Sequence, residues 1–333
     1  MGLPEAERRL RTVNGGRDSA GPLGWTSGPT PDTVIETVRS LELTINRRLD
    51  GVLHGHHEGL TPGHGSEPGE SRVYQPGDDV RRIDWNVSAR TTETYVREQI
   101  ADRDLTAWLV VDASAAMRFG TTDNDKADTA LAAAATVGFL TARNQNRLGA
   151  VIVDGARLRV MEPRAGRNQV RAVLSSIASA DGDDGAGVAD LPGAFDRVGA
   201  IARRRGFVAV ISDFAGLDWT DALGRIGVRH DLLAIVVDDP RERDVPPIGL
   251  VSMTDPATGT RREVRVTRKV QERFAEAAAE DRAARTMALR HAGADAIELS
   301  TDHDWLSSIV EHVRARRVQA VRGGVLRAGV VPR

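Results

Sequence analysis

The feature that most constrains this chain is a rhythm that starts at Leu105 and runs nearly to the C-terminus. Short apolar runs alternate with helical stretches, and several of the runs end on an acid. The runs are 105–112 (LTAWLVVD), 147–154 (RLGAVIVD), 206–213 (GFVAVISD), 230–239 (HDLLAIVVDD) and 294–301 (ADAIELST). Between and after them lie helical patterns at 123–142, 168–179, 191–204, 219–228, 268–291 and 303–317. A strand that is apolar on both faces must be covered on both faces, and parallel neighbours need a crossover helix. The pattern therefore predicts an α/β fold with a mainly parallel, doubly wound sheet. The stretch 249–266 breaks the rhythm with two strand-like halves around Asp255-Pro256 and Gly259, which predicts an antiparallel hairpin at a sheet edge.

Upstream, residues 1–31 carry Gly, Pro and Ser without apolar periodicity and read as a flexible leader. Asp32 is placed to cap a helix whose apolar stripe is Ile35, Val38, Leu41, Ile45, Leu49 and Val52. That helix opens a strand-rich extension over 32–104, the sheet domain fills 105–317, and 318–333 is a flexible tail.

Composition removes several functions. With 45 basic and 47 acidic residues the formal net charge is −2, which leaves no electrostatic case for a dedicated nucleic-acid binder. Basic runs such as Arg203-Arg204-Arg205 fall at predicted helix ends, where cations meet the helix dipole favourably. A nucleic-acid-binding role through such Arg patches is a second alternative. The chain has no cysteine, hence no disulfide, thiolate metal site or cysteine nucleophile. It has no phosphate-loop lysine motif and no Gly-x-Ser-x-Gly elbow. His54, His56, His57 and His64 sit in a Gly/Pro-rich stretch that is a poor scaffold for zinc. No apolar run reaches the ~18 residues of a membrane span, and no signal-peptide pattern opens the chain. A soluble, cytoplasmic protein is the expectation.

In open parallel sheets ligands bind beyond the carboxyl ends of the strands. Asp112, Asp213 and Asp238 end predicted strands there. Asp112-Ala-Ser114 and Asp213 resemble the metal-ion-dependent adhesion site of von Willebrand factor A domains. In that family Asp-x-Ser-x-Ser, a Thr from a later loop and a second Asp surround a magnesium ion. Here position 116 is Ala where the family has its second Ser, and Ala189 stands where it has its Thr. Magnesium wants about six oxygens, so the resemblance implies a degenerate site built from Asp112, Ser114 and Asp213, with Mg²⁺ as its only candidate cofactor. The alternative is that Asp112 and Ser114 simply cap the following turn.

The densest motif precedes the sheet. Residues 72–90 read R-V-Y-Q-P-G-D-D-V-R-R-I-D-W-N-V-S-A-R. Pro76-Gly77 suits a type II turn. The string closely resembles the signature of the bacterial family called domain of unknown function 58, matching it at Arg72, Tyr74, Pro76, Gly77, Asp78, Asp79, Arg81, Ile83, Asp84, Trp85, Ser88 and Arg90. The likeness extends over about 34–317. It implies an A-type domain with an N-terminal extension, no established enzymatic activity, and work alongside a MoxR-type AAA+ ATPase on a client protein. Two readings of the motif stay open. In one, the acids and arginines form a self-satisfied network around a buried Trp85. In the other, part of the motif faces outward as a docking surface. A divalent-metal-dependent hydrolase using Asp78, Asp79, Asp84 and Asp112 is the enzymatic alternative, although no nucleophile or paired His accompanies those acids.

Overall fold

The computed structural model describes residues 31–53, 68–74, 83, 85–91, 93–99, 106–143, 146–180, 188–254, 260–309 and 311–312. In chain order the elements are α1 (Pro31–Leu53), β1 (Pro68–Val73), α2 (Trp85–Ser88), β2 (Tyr95–Gln99), β3 (Thr106–Asp112), α3 (Lys126–Arg143) and β4 (Arg147–Asp154). There follow β5 (Arg157–Ala165), α4 (Arg167–Ala178), α5 (Leu191–Ile201), β6 (Phe207–Ser212), α6 (Thr220–Gly227) and β7 (Asp231–Asp238). The hairpin β8 (Gly249–Thr254) and β9 (Arg261–Val266), then α7 (Arg268–His291) and β10 (Ala294–Ser300), follow, and residues 305–309 and 311–312 are again helical. Short 3₁₀ turns lie at Ala115–Arg118 and Pro240–Glu242. Two compact units result: residues 58–105 form one, and α1 clusters with everything from Thr106 onward in the other.

The larger unit is built on a six-stranded sheet of order β10-β7-β6-β3-β4-β5, parallel except for the β4–β5 pair. This is the mainly parallel, doubly wound sheet that the strand–helix alternation dictates. Strands β3, β6 and β7 are buried along almost their whole length, as strands covered on both faces must be. One face packs Trp108, Val110, Val208, Val210 and Val236 against Phe195 and Val198 of α5 and Leu223 and Ile226 of α6. The other is covered by α3, which lies against β3, β4, β6, β7 and β10. Thirteen residues of α3 are buried, among them five alanines and Gly138, whose small size lets the helix sit close to the sheet. Its buried Thr136 and Thr141 hydroxyls donate to the carbonyls one turn back, at 2.9 and 2.8 Å, so no polar group is stranded.

Three features depart from the sequence reading. Strand β5 was not expected, because its alternating, arginine-rich sequence lacks the continuous apolar run of its neighbours. It is an antiparallel edge strand that needs burial on one side only. The β8–β9 hairpin is a separate two-stranded ribbon and does not extend the main sheet. Helix α1 starts at Pro31, so Asp32 lies inside it, and its inner stripe is Val34, Val38, Leu41 and Ile45, with Ile35 exposed. The stripe packs on α3 and α4. Buried Glu42 fastens it by accepting from Arg171 Nη2 at 2.8 Å and Nε at 3.1 Å. That packing explains why α1 belongs to the sheet unit.

The smaller unit is the antiparallel pair β1–β2 with α2 between them. Among the described residues no helix is long and apolar enough to cross a membrane.

Candidate functional site

The parallel strands deliver Asp112, Ser212-Asp213, Asp238-Asp239 and Ser300-Thr301 to one edge of the sheet, because β3, β6, β7 and β10 run in the same direction and in register. Asp112 is buried. Its Oδ1 accepts from the Ser114 backbone N–H at 2.9 Å, and its Oδ2 accepts from Ser212 Oγ at 2.7 Å. The Ser114 N–H bond is the turn-capping arrangement, so this role of Asp112 is real. Burial pushes the Asp112 carboxyl up to about 6; the nearby Asp213 adds to the rise, and the bonds from Ser114 and Ser212 oppose it. Ser114 Oγ is buried close to Asp112 but meets no partner at hydrogen-bonding geometry.

Asp213 accepts from the Ala215 N–H at 3.0 Å through Oδ1 and from Lys126 Nζ at 2.8 Å through Oδ2. The same ammonium donates to Glu242 Oε1 at 2.6 Å, and Lys126 is 1% exposed. Burial works against its charge, but Asp213 and Glu242 together more than offset that and hold its pKa above the ordinary lysine value. Glu242 Oε2 accepts from the Asp239 N–H at 3.0 Å. Asp239, fully buried, accepts from Thr121 N–H (2.9 Å), Thr121 Oγ1 (2.6 Å), Thr301 Oγ1 (2.7 Å) and Arg241 N–H (2.8 Å). Arg285 closes the other side, donating to the Asp213 carbonyl and to Asp238 Oδ2, both at 2.8 Å. Beside Asp213, Phe214 adopts a positive φ of 53°, held by its N–H bond to Ser212 Oγ and by an edge-on contact with Trp219 at 5.2 Å.

Sequence reasoning found Asp112, Ser114, Asp213 and Asp238 here but missed Lys126, Asp239, Glu242 and Arg285. The signal for Lys126 was present: it is one of two lysines in a chain with 43 arginines, and it opens a helix beside a run of acids. Magnesium does not fit the residues present. Ala116 and Ala189 are buried and offer no side-chain oxygen, and an ammonium is already bonded to Asp213. Among the described residues no group of three or more His, Asp or Glu side chains is arranged to hold a metal ion.

The motif before the sheet is seen in part. Pro76, Gly77, Asp78, Asp79, Arg81 and Asp84 lie outside the described residues, and with them most of the acid–arginine network and three acids of the hydrolase alternative. Arg72 is a β1 residue in register with Val96, and Ile83 is a single bridge residue. The Tyr74 N–H donates to Thr94 O at 2.7 Å. Ser88 clamps the next strand, its Oγ accepting from the Tyr95 N–H at 2.8 Å and donating to Tyr95 O at 3.4 Å. Arg90 is exposed. Trp85, expected to be buried if the motif were a closed network, is 71% exposed. It opens a single helical turn.

The profile of the family described as protein of unknown function DUF58 matches residues 70–284. The chain is 47% identical over 287 residues to "Uncharacterized protein Rv1480" of Mycobacterium tuberculosis, covering 86% of this chain and 90% of that protein. Among solved structures it is similar to an aerotolerance-related membrane protein from Bacteroides fragilis (TM-score 0.41, 12% identity, 63% of this chain and 97% of that one). It is also similar to the conserved hypothetical protein BatB from Bacteroides thetaiotaomicron (TM-score 0.37, 8% identity, 63% and 98%). The profile spans well over half of the chain and includes the 72–90 motif on which the resemblance was read, so the chain belongs to the DUF58 family.

Proposed function

We propose that this protein is a non-catalytic binding or adaptor component that works with a MoxR-type AAA+ ATPase in remodelling or maturing a client protein complex. The observation that carries the reading is Trp85: the one indole of the family motif is presented to solvent and not packed inside it. A tryptophan left exposed costs apolar burial worth about 2–3 kcal/mol, and tryptophans are the side chains most often found at the energetic centre of interfaces. The strand-end acids support the same reading, because their oxygens are taken up by Lys126, Arg285 and backbone N–H groups and none is presented as a general base.

The experiment is capture of the ATPase by the tagged full chain from its own cells. The wild type is expected to retain an AAA+ ATPase, and Trp85→Ala to lose it while keeping the wild-type unfolding midpoint. Failure of the wild type to retain any AAA+ ATPase overturns the partner assignment. Retention by Trp85→Ala at wild-type level removes the motif from the interface.

A further inference from the structure

We infer that the Lys126 ammonium takes the place of a divalent cation at the strand-end site, so that this face carries a built-in, covalently held cation in place of a bound metal. The inference does not depend on the proposed partner.

Three observations converge. Asp213, one of the two strand-end carboxylates that a metal would bridge, points its Oδ2 at the ammonium at 2.8 Å. The helix that carries Lys126 starts at that residue, and the Lys126 N–H bonds Phe119 O at 3.0 Å, which fixes the stem at the mouth of the site. The second acid on the ammonium, Glu242, comes from a different loop and is itself locked by the Asp239 N–H. The ammonium thus bridges two carboxylates, one just past the end of β6 and one in the turn that follows β7, as an ion would. A lysine suits this place better than the arginine this chain otherwise prefers, because its charge is compact and its three donors are not forced into a plane.

The site also keeps a trace of a different occupant. Ser114 Oγ is buried beside Asp112, whose ionised form it favours, but meets no described partner at full hydrogen-bonding geometry. Buried hydroxyls are normally paired, since leaving one unpaired is costly. A cation with a coordination sphere would use that oxygen; the ammonium, bonded to Asp213 and Glu242, does not.

The test titrates Mn²⁺ alone, up to about 1 mM, into the full chain and reads the unfolding midpoint and heat of binding. The wild type is expected to give no shift and no heat. Lys126→Ala is expected to unfold roughly 10 °C lower, because two partly buried carboxylates lose their buried cation, and to recover at least half of that loss with Mn²⁺. Adding Ala116→Ser and Ala189→Thr to Lys126→Ala restores two oxygens and is expected to tighten Mn²⁺ at least about tenfold. Lys126→Met fills the same space without charge, so it should fall in stability yet gain nothing from Mn²⁺. If Lys126→Ala does not fold, Lys126→Ala with Glu242→Gln carries one uncompensated carboxylate fewer and is read in the same way. Micromolar Mn²⁺ binding by the wild type that Asp213→Asn abolishes overturns the inference. So does a folded Lys126→Ala, or its Glu242→Gln double variant, that is indifferent to Mn²⁺, or a Lys126→Met rescued as well as Lys126→Ala.

Discussion

Two regions of this molecule are rich in the same ingredients, acids, cations and hydroxyls, yet the structure uses them in opposite ways. At the strand ends, Asp112, Asp213, Asp239 and Lys126 are drawn inside and bonded to one another, to hydroxyls or to backbone groups over distances of 2.6–2.9 Å. In the described part of the 72–90 motif, Ser88 holds the backbone of Tyr95 while Trp85 and Arg90 face solvent. The first region is a structural lock at the place where open parallel sheets usually bind ligands. The second offers an aromatic surface on a short, braced turn. A site's position in a fold is therefore a weaker guide to its use than whether its polar atoms are already satisfied.

The sharpest way to break this contrast is Asp239→Ala. Four donors from three segments converge on that carboxylate, and removing it strands the Thr121 and Arg241 N–H groups and two threonine hydroxyls. A loss of about 3–5 kcal/mol is expected by chemical denaturation, the range for breaking a buried charged network. A loss below about 1 kcal/mol would mean the strand ends are not the lock described.

Next in size is a pH effect confined to the first region. Burial pushes Asp112 up to about 6, and burial together with Asp125 pushes Asp128 up to about 7. Glu242 moves the same way, again chiefly through burial. Each of these acids is easier to protonate folded than unfolded. For Asp112 and Asp128 the contribution is therefore complete below the ordinary carboxylate value and is lost as pH rises to about 6 and about 7 respectively. The unfolding midpoint should fall between about pH 4 and 7, and Asp128→Asn should flatten the upper part of that slope. A midpoint that rises through this window would show that the carboxylates are better solvated than their burial implies.

How much of this was legible beforehand follows from what each feature depends on. The buried strands were readable because a strand covered on both faces must be apolar throughout. Strand β5 was not, since an edge strand with exposed arginines has the composition of a loop. Asp112, Ser114 and Asp213 were found because strand ends recur at fixed places in the rhythm. Lys126 lies 87 residues from Asp213 and 116 from Glu242, and no local spacing announces such a meeting. Trp85 was the harder lesson. A tryptophan amid acids and arginines reads equally well as a buried anchor or an exposed one, and only the packing around it decides.

A smaller effect probes the second region from its braced side. Ser88→Ala removes both bonds to Tyr95. Because the residue is part-buried, the cost is about 1 kcal/mol, felt locally. Hydrogen exchange at the Tyr95 amide should quicken roughly fivefold while the midpoint of the sheet unit is unchanged. Exchange that does not quicken would mean the turn is held by other residues of the motif.

The least effect on stability is expected from the largest side chain. With 71% of its surface exposed, Trp85 contributes little packing, so Trp85→Ala should change unfolding by no more than about 0.5 kcal/mol. Truncating a core tryptophan would instead cost about 3–5 kcal/mol, and Trp219, which is fully buried with its indole N–H bonded to Gly216 O at 2.9 Å, supplies that control in the same chain. Trp85→Ala and Trp219→Ala, compared by denaturation in parallel, thus read the two regions on one scale. A large loss from Trp85→Ala would place its ring against partners inside the protein and withdraw it from any docking surface. A near-zero loss, beside a large one from Trp219→Ala, leaves the Trp85 indole as apolar area exposed in the free chain, which a partner can bury without first disrupting the fold.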